Sequence, residues 1–228
     1  VANKKKKPVV AARSGPSAAL IIGVVVVVLF AAAVGFGVYR TQQAASGPAA
    51  VPPNATAEGV PIGQASAKAT IDLYLDFQCP LCRDYEQQSG ATIDQMVASG
   101  QAKVVYHPIA ILDRFSSTQY SSRSSAASGC AAAAGVFPQY LDLLFANQPP
   151  ENGNGLPEAQ LVSLGQQAGA AGPDFATCVT DQTYKAWTAG LTDQASKAGV
   201  NGTPTVKVNG QVVQNTDAAL RAAVAAAQ

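Results

Sequence analysis

Cys79-Pro80-Leu81-Cys82 lies directly behind the apolar run Ile71-Asp72-Leu73-Tyr74-Leu75-Asp76-Phe77. A strand that feeds a C-x-x-C opening a helix admits few folds. Two cysteines one helical turn apart can close a small, reversible disulfide, a spacing that a purely structural bridge rarely uses. Far downstream, Gly202-Thr203-Pro204-Thr205-Val206 opens a second strand-like run. Together the two features point to thiol–disulfide chemistry. The other readings of a C-x-x-C in an exported chain are a structural bridge or a zinc knuckle. Zinc fits poorly, because Cys130 and Cys178 are far apart and His107 is the one histidine, so no second ligand cluster exists and no metal is expected.

The chain has 228 residues and a formal net charge of +1. That length suits one ordinary domain with appendages. The near-neutral balance gives no footprint for nucleic acid, since the basic residues cluster at Lys4-Lys5-Lys6-Lys7 and Arg13 rather than over a folded surface. Residues 18–38 carry no charge. As a helix rising about 1.5 Å per residue they reach across a hydrocarbon core of roughly 30 Å. The basic cluster on their N-terminal side places residues 1–17 in the cytoplasm and the remainder outside. The expectation is a single-pass anchor over 18–39 in the cell membrane, with the C-terminal domain extracytoplasmic. The alternative is a cleaved signal peptide with Leu20–Phe30 as its apolar region and Ala31-Ala32-Ala33 as its cleavage site. Either way the domain is exported, where four cysteines suit an oxidising compartment.

Residues 40–57, rich in Gln, Ala, Ser, Gly and Pro, read as a flexible linker. The fold is expected to start near Glu58 with a short edge strand. Ile71–Phe77 reads as a central strand, Pro80–Val97 as a helix with Pro80 tolerated in its first turn, and Lys103–His107 as the next strand. This is a βαβ unit. Near the C-terminus, Thr205–Val208, an Asn209-Gly210 turn and Gln211–Val213 form a hairpin, and Thr216-Asp217 starts a last helix. Between the two halves, over about residues 113–198, no strand signal appears. Ser116–Phe137, Gln139–Asn147, Pro157–Ala168, Asp174–Thr180 and Gln182–Ala198 read as helices, with Trp187, Tyr184 and Leu191 as core. βαβ followed by ββα is the thioredoxin skeleton. The expected fold class is therefore α/β, a thioredoxin fold with an inserted helical domain, preceded by one transmembrane helix.

Phe77-Gln78-Cys79-Pro80-Leu81-Cys82 and Gly199-Val200-Asn201-Gly202-Thr203-Pro204-Thr205 resemble the DsbA-like thioredoxin family of exported thiol–disulfide oxidoreductases, and the anchored form with an extra cysteine pair is similar to its actinobacterial members. The resemblance spans residues 58–228. It implies that Cys79 is the nucleophile and Cys82 the resolving thiol. Pro204 corresponds to a cis-proline beside the disulfide, and Thr203 to the backbone that pairs with an extended substrate. Pro80 and Leu81 then neighbour the reacting sulfurs. Two departures stand out: Leu81 replaces the histidine often found between the cysteines, and Leu73 occupies the position, six residues before Cys79, where many members carry a buried acid. Asp72 and Asp76 flank that position as solvated or hydrogen-bonded strand residues. Cys130 and Cys178 are read as a structural disulfide, with small buried core residues as the alternative. His107 is read as structural.

The leading functional expectation is an enzyme that introduces disulfides into reduced exported proteins. It would be recycled by a membrane oxidase of the DsbB or vitamin K epoxide reductase type and would need no cofactor of its own. The rivals are a reductase or isomerase on the same skeleton and a non-catalytic tethered peptide-binding module, against which the intact Cys79 and Cys82 argue.

Overall fold

The computed structural model describes residues 49–228 throughout and, before them, only residues 21, 22, 27, 28, 30–32 and 34–36. These N-terminal residues are helical, and the apolar side chains of Ile22, Val28 and Phe30 are exposed. Among the described residues no helix is long and apolar enough to cross a membrane. The basic tail, most of the anchor and the linker up to residue 48 lie outside the described residues.

A five-stranded sheet organises the domain, in the order β1 (Val60–Ile62), β3 (Ala102–Pro108), β2 (Ala69–Leu75), β4 (Thr205–Val208), β5 (Gln211–Val213). β2 and β3 are parallel, and the other pairings are antiparallel. The parallel pair requires a crossover, which α1 (Pro80–Ala98) supplies. Ile71, Leu73 and Leu75 alternate along β2 and are fully buried, with Ile93 and Met96 of α1 in the same core. The hairpin turn carries Asn209 at φ 48° and Gly210 at φ 80°, the paired left-handed conformations that a two-residue turn between twisted strands demands. Thr216 caps α7 (Asp217–Ala226) by accepting from the Ala219 N–H.

The helical insertion holds α2 (Tyr120–Ala133), α3 (Phe137–Ala146), α4 (Glu158–Ala168), α5 (Pro173–Thr180) and α6 (Lys185–Lys197). Eleven of the fourteen residues of α2 are buried, so it forms the centre on which the other four pack. Its Ser, Ala and Gly side chains permit that close approach. A Cβ on Gly129 would stand 2.8 Å from Cβ of Tyr184. The Ser125 hydroxyl donates to the Pro108 carbonyl and ties α2 to the end of β3.

Several boundaries differ from the sequence expectation, among them the start of β2 at Ala69 and of α6 at Lys185. The strand expected over 71–77 ends at Leu75, because Asp76 turns inward to accept the Gln78 N–H at 2.9 Å. The helix expected over Ser116–Phe137 is shorter at both ends. Ser116 accepts the N–H groups of Thr118 and Tyr120 in a turn before it, and Gly135 at φ 75° closes it. There Gly135 N–H bonds Ala132 O and Val136 N–H bonds Ala131 O, a Schellman closure that leaves α3 to begin anew. Packing also starts earlier than Glu58. Pro52 is buried, the Asn54 amide donates to Ala132 O, and the Trp187 indole donates to Thr56 O.

Candidate functional site

The site is built on the turn between β2 and α1. Cys79 is the N-cap residue of α1 and Pro80 its first residue, where a missing N–H costs nothing. Both cysteines are free thiols, so this is the reduced form. Cys79 is 6% exposed and Cys82 2%. The difference that matters is access: Cys79 lines a cleft of about 510 Å³ with Leu81, Ile111, Leu112, Val200 and Thr203 among its walls, and Cys82 does not. The Cys79 thiol donates to the Thr203 carbonyl at 3.2 Å.

The two sulfurs are electrostatically unlike. The Cys82 thiol hydrogen-bonds Cys79, and the Thr203 side chain and the N–H groups of Cys82 and Leu81 also favour the anion. Against the opposing effect of burial they lower the Cys79 pKa to about 6. Burial, reinforced by the Cys79 sulfur, pushes the Cys82 thiol well above the ordinary range. At neutral pH the reduced site therefore holds one thiolate, on the sulfur that faces the cleft. Alkylation of the reduced protein at pH 7, followed by mass mapping, should label Cys79 well before Cys82, with a rate that is half-maximal near pH 6. Labelling of Cys82 first would reverse the assignment of the two sulfurs.

The remaining residues singled out from the sequence fall as follows. The Thr203–Pro204 peptide is cis. Pro204 and Thr203 line a second, smaller cleft of about 240 Å³ with Tyr85 and Asn215, and Leu81, 65% exposed, borders both clefts, as Thr203 does. Cys130 and Cys178 are joined with an S–S distance of 2.04 Å and clamp α2 to α5, away from the Cys79 cleft. His107 is not brought to the cysteines. Its ring stacks on Tyr74 with centroids 4.1 Å apart, and its nitrogens face the Glu58 carbonyl and the Asp72 carboxylate. Among the described residues no group of three or more potential metal ligands is assembled.

The position six before Cys79 is apolar, as Leu73 is buried in the core. A buried acid is nonetheless present, three residues before Cys79. Asp76 is fully buried, not solvated. Its carboxylate accepts the N–H groups of Gln78 at 2.9 Å and of Ile111 and Leu112 at 3.0 Å each. Burial outweighs these donors and raises its pKa to about 6. Two further residues were given no role from the sequence. The Gln78 amide donates to Leu112 O, and the Gln148 amide reaches Phe77 O and Cys79 O from the insertion.

Fold and paired cysteines define a thiol–disulfide exchange site on a thioredoxin scaffold. The family described as Thioredoxin matches residues 55–226. The solved structure of the disulfide bond oxidoreductase DsbG from Mycobacterium tuberculosis, in its reduced form, is 33% identical. The match has a TM-score of 0.62 and covers 75% of this chain and 83% of that one. Oxidised DsbA of the same organism is also 33% identical, at a TM-score of 0.62 and covering 75% and 88% of the two chains. A curated relative, the serine/threonine-protein kinase PknE of M. tuberculosis, is 33% identical over 171 residues, which are 70% of this chain and 30% of the kinase. The chain thus spans less than a third of the length of the curated relatives it matches. The chain belongs to the thioredoxin family, among the DsbA-like thiol–disulfide oxidoreductases.

Proposed function

We propose that the protein is an exported, membrane-tethered oxidase that gives the Cys79–Cys82 disulfide to reduced exported proteins. The observation that carries the direction is the placement of Cys79 at the N-terminus of α1, where the Cys82 thiol and the N–H groups of Cys82 and Leu81 favour its thiolate. A thiol whose folded pKa is depressed stabilises the reduced protein as pH rises above that pKa, towards the value of the unfolded chain. The disulfide is then the less favoured state at neutral pH and is readily passed on.

The exchange has two steps. A substrate thiolate attacks the Cys79 sulfur of the oxidised enzyme. A substrate–Cys79 bond forms, the Cys79–Cys82 bond breaks, and the Cys82 thiolate that leaves takes up a proton, as its raised pKa favours. The second substrate thiolate then attacks the first substrate sulfur, the substrate disulfide closes, and Cys79 leaves as a thiolate. Two electrons pass from the substrate dithiol to the enzyme. The Thr203 backbone, beside Cys79 in the cleft, supplies an edge along which an extended substrate segment can lie.

Tethering rests on the uncharged stretch 18–38 behind the basic cluster, and export is further supported by the Cys130–Cys178 disulfide. A tethered domain is concentrated near membrane partners. The recycling partner fits a membrane oxidase of the DsbB or vitamin K epoxide reductase type, which accepts the two electrons.

Cys82→Ser tests this reading, because without the resolving thiol the mixed disulfide through Cys79 persists. The expected catch is a set of reduced exported proteins together with a multi-span membrane oxidase. A catch confined to thiol-reducing pathway proteins would reverse the electron flow and make the protein a reductase. No mixed disulfide at all would favour a non-catalytic tethered module.

A further inference from the structure

The turn between β2 and α1 is held from two sides. On one side Asp76 and Gln78 stitch it to residues 111–112 through the bonds described above. On the other side stands a single side chain from the insertion. Gln148, half-buried in the loop after α3, uses its side-chain nitrogen to donate to Phe77 O and to Cys79 O, each at 2.9 Å. A primary amide carries two N–H donors on one nitrogen, and here each meets one of two carbonyls that bracket Gln78. The Phe77 and Cys79 carbonyls lie outside the β2–β4 ladder, and the Cys79 carbonyl also accepts the first N–H groups of α1, from Cys82 at 3.1 Å and Arg83 at 3.3 Å. The same loop reaches the cleft wall through Glu151.

We propose that Gln148 is a positioning residue for Cys79. Its amide fixes the turn so that the sulfur sits over the N-terminus of α1, and it engages the two carbonyls, of Phe77 and Cys79, on the backbone that carries the nucleophile. The helical insertion thereby sets the reactivity of a cysteine 69 residues away in sequence. The physical reason is direct. A backbone carbonyl with fewer donors on it presents more of its negative end to its surroundings, and in the turn that carries an anionic sulfur that end disfavours the anion. An amide that donates to both carbonyls lessens that penalty, and it also limits the turn's freedom to swing Cys79 away from the N–H groups of Leu81 and Cys82. The inference rests on the reading of Cys79 as the nucleophile.

Two near-isosteric substitutions separate this role from simple packing. Gln148→Met keeps the length and removes both donors. Gln148→Glu keeps the shape and places a carboxylate against two carbonyls. The readouts, on the full chain, are the pH titration of the thiolate by its ultraviolet absorbance and the equilibrium of the Cys79–Cys82 pair with glutathione buffers. Gln148→Met should raise the Cys79 midpoint by roughly half a unit to one unit. By linkage it should lower the reduced-to-oxidised ratio at pH 7 about three- to five-fold. Gln148→Glu should move both quantities further in the same direction, and it carries the test if the Met variant is unstable. Midpoint and glutathione equilibrium equal to those of the parent in both variants would overturn the proposal, even with lowered thermal stability, since packing alone moves neither. A parent protein whose Cys79 does not titrate below the ordinary thiol range would instead defeat the nucleophile assignment, and this proposal with it. The parent titration therefore tells the two failures apart.

Discussion

Asp76→Ala should destabilise the reduced protein by roughly 3–6 kcal/mol near pH 5, because three buried backbone N–H groups lose their acceptor at about 1–3 kcal/mol each. Those donors belong to Gln78, Ile111 and Leu112. No water can replace the carboxylate without opening the junction between the active-site turn and the end of β3. The penalty should also depend on pH with a definite sign. Burial raises the Asp76 pKa from 3.8 to about 6. Between those values the folded protein binds more protons at this site than the unfolded chain does. The stability that Asp76 contributes is thus fully present below about pH 4 and falls as pH rises through about 6. The cost of the alanine substitution should therefore shrink by about 2–3 kcal/mol between pH 4 and pH 7.5. Urea unfolding followed by the fluorescence of Trp187 at both pH values measures this. A cost below about 1 kcal/mol at low pH, or one that grows with pH, would mean that the turn finds other acceptors.

Replacing Cys130 and Cys178 together by alanine should cost about 2–4 kcal/mol and lower the melting temperature by roughly 5–15 °C. The bridge closes a segment with a sequence separation of 48, for which the chain-entropy relation gives about 4 kcal/mol. It fastens α5 to α2, the helix around which the rest of the insertion packs. The rate of Cys79 alkylation should stay at the parent value, because the pair lines a different cleft, beside Phe175 and Tyr184. Unchanged stability would show that packing alone holds the insertion. A changed alkylation rate would show that the two cysteine pairs communicate.

These two predictions address interactions of different legibility. The pairing of Cys130 with Cys178 was open to sequence reasoning through cysteine number and compartment. The burial of Asp76 was not. In the run from Ile71 to Phe77, Asp72 and Asp76 fall in phase with each other, and alternation places both on the more exposed face of a continuous strand. That holds for Asp72, which is partly exposed beside His107. It fails for Asp76 because the strand stops at Leu75, and the face a side chain takes after a strand ends is no longer set by a period of two.

Local rules determined much of this protein from sequence alone. The C-x-x-C at a helix start, Asn209-Gly210 as a hairpin turn and Thr216 as a helix cap each depend on contacts within about four residues, and backbone sterics and capping resolve such contacts without reference to the rest of the chain. The mixed apolar run Ile71–Phe77 likewise marked a central strand, because a strand flanked on both sides in a sheet meets apolar contacts on both faces. Tertiary structure alone decided the rest. It joined the Gln148 amide to carbonyls 69 and 71 residues away, packed residues 52–56 onto the insertion, and buried Asp76 beneath the active-site turn. These outcomes depend on which polar groups meet once elements distant in the chain have packed and excluded water. Hydrogen-bond satisfaction and desolvation are properties of that assembled interior, and no local pattern of residues carries them.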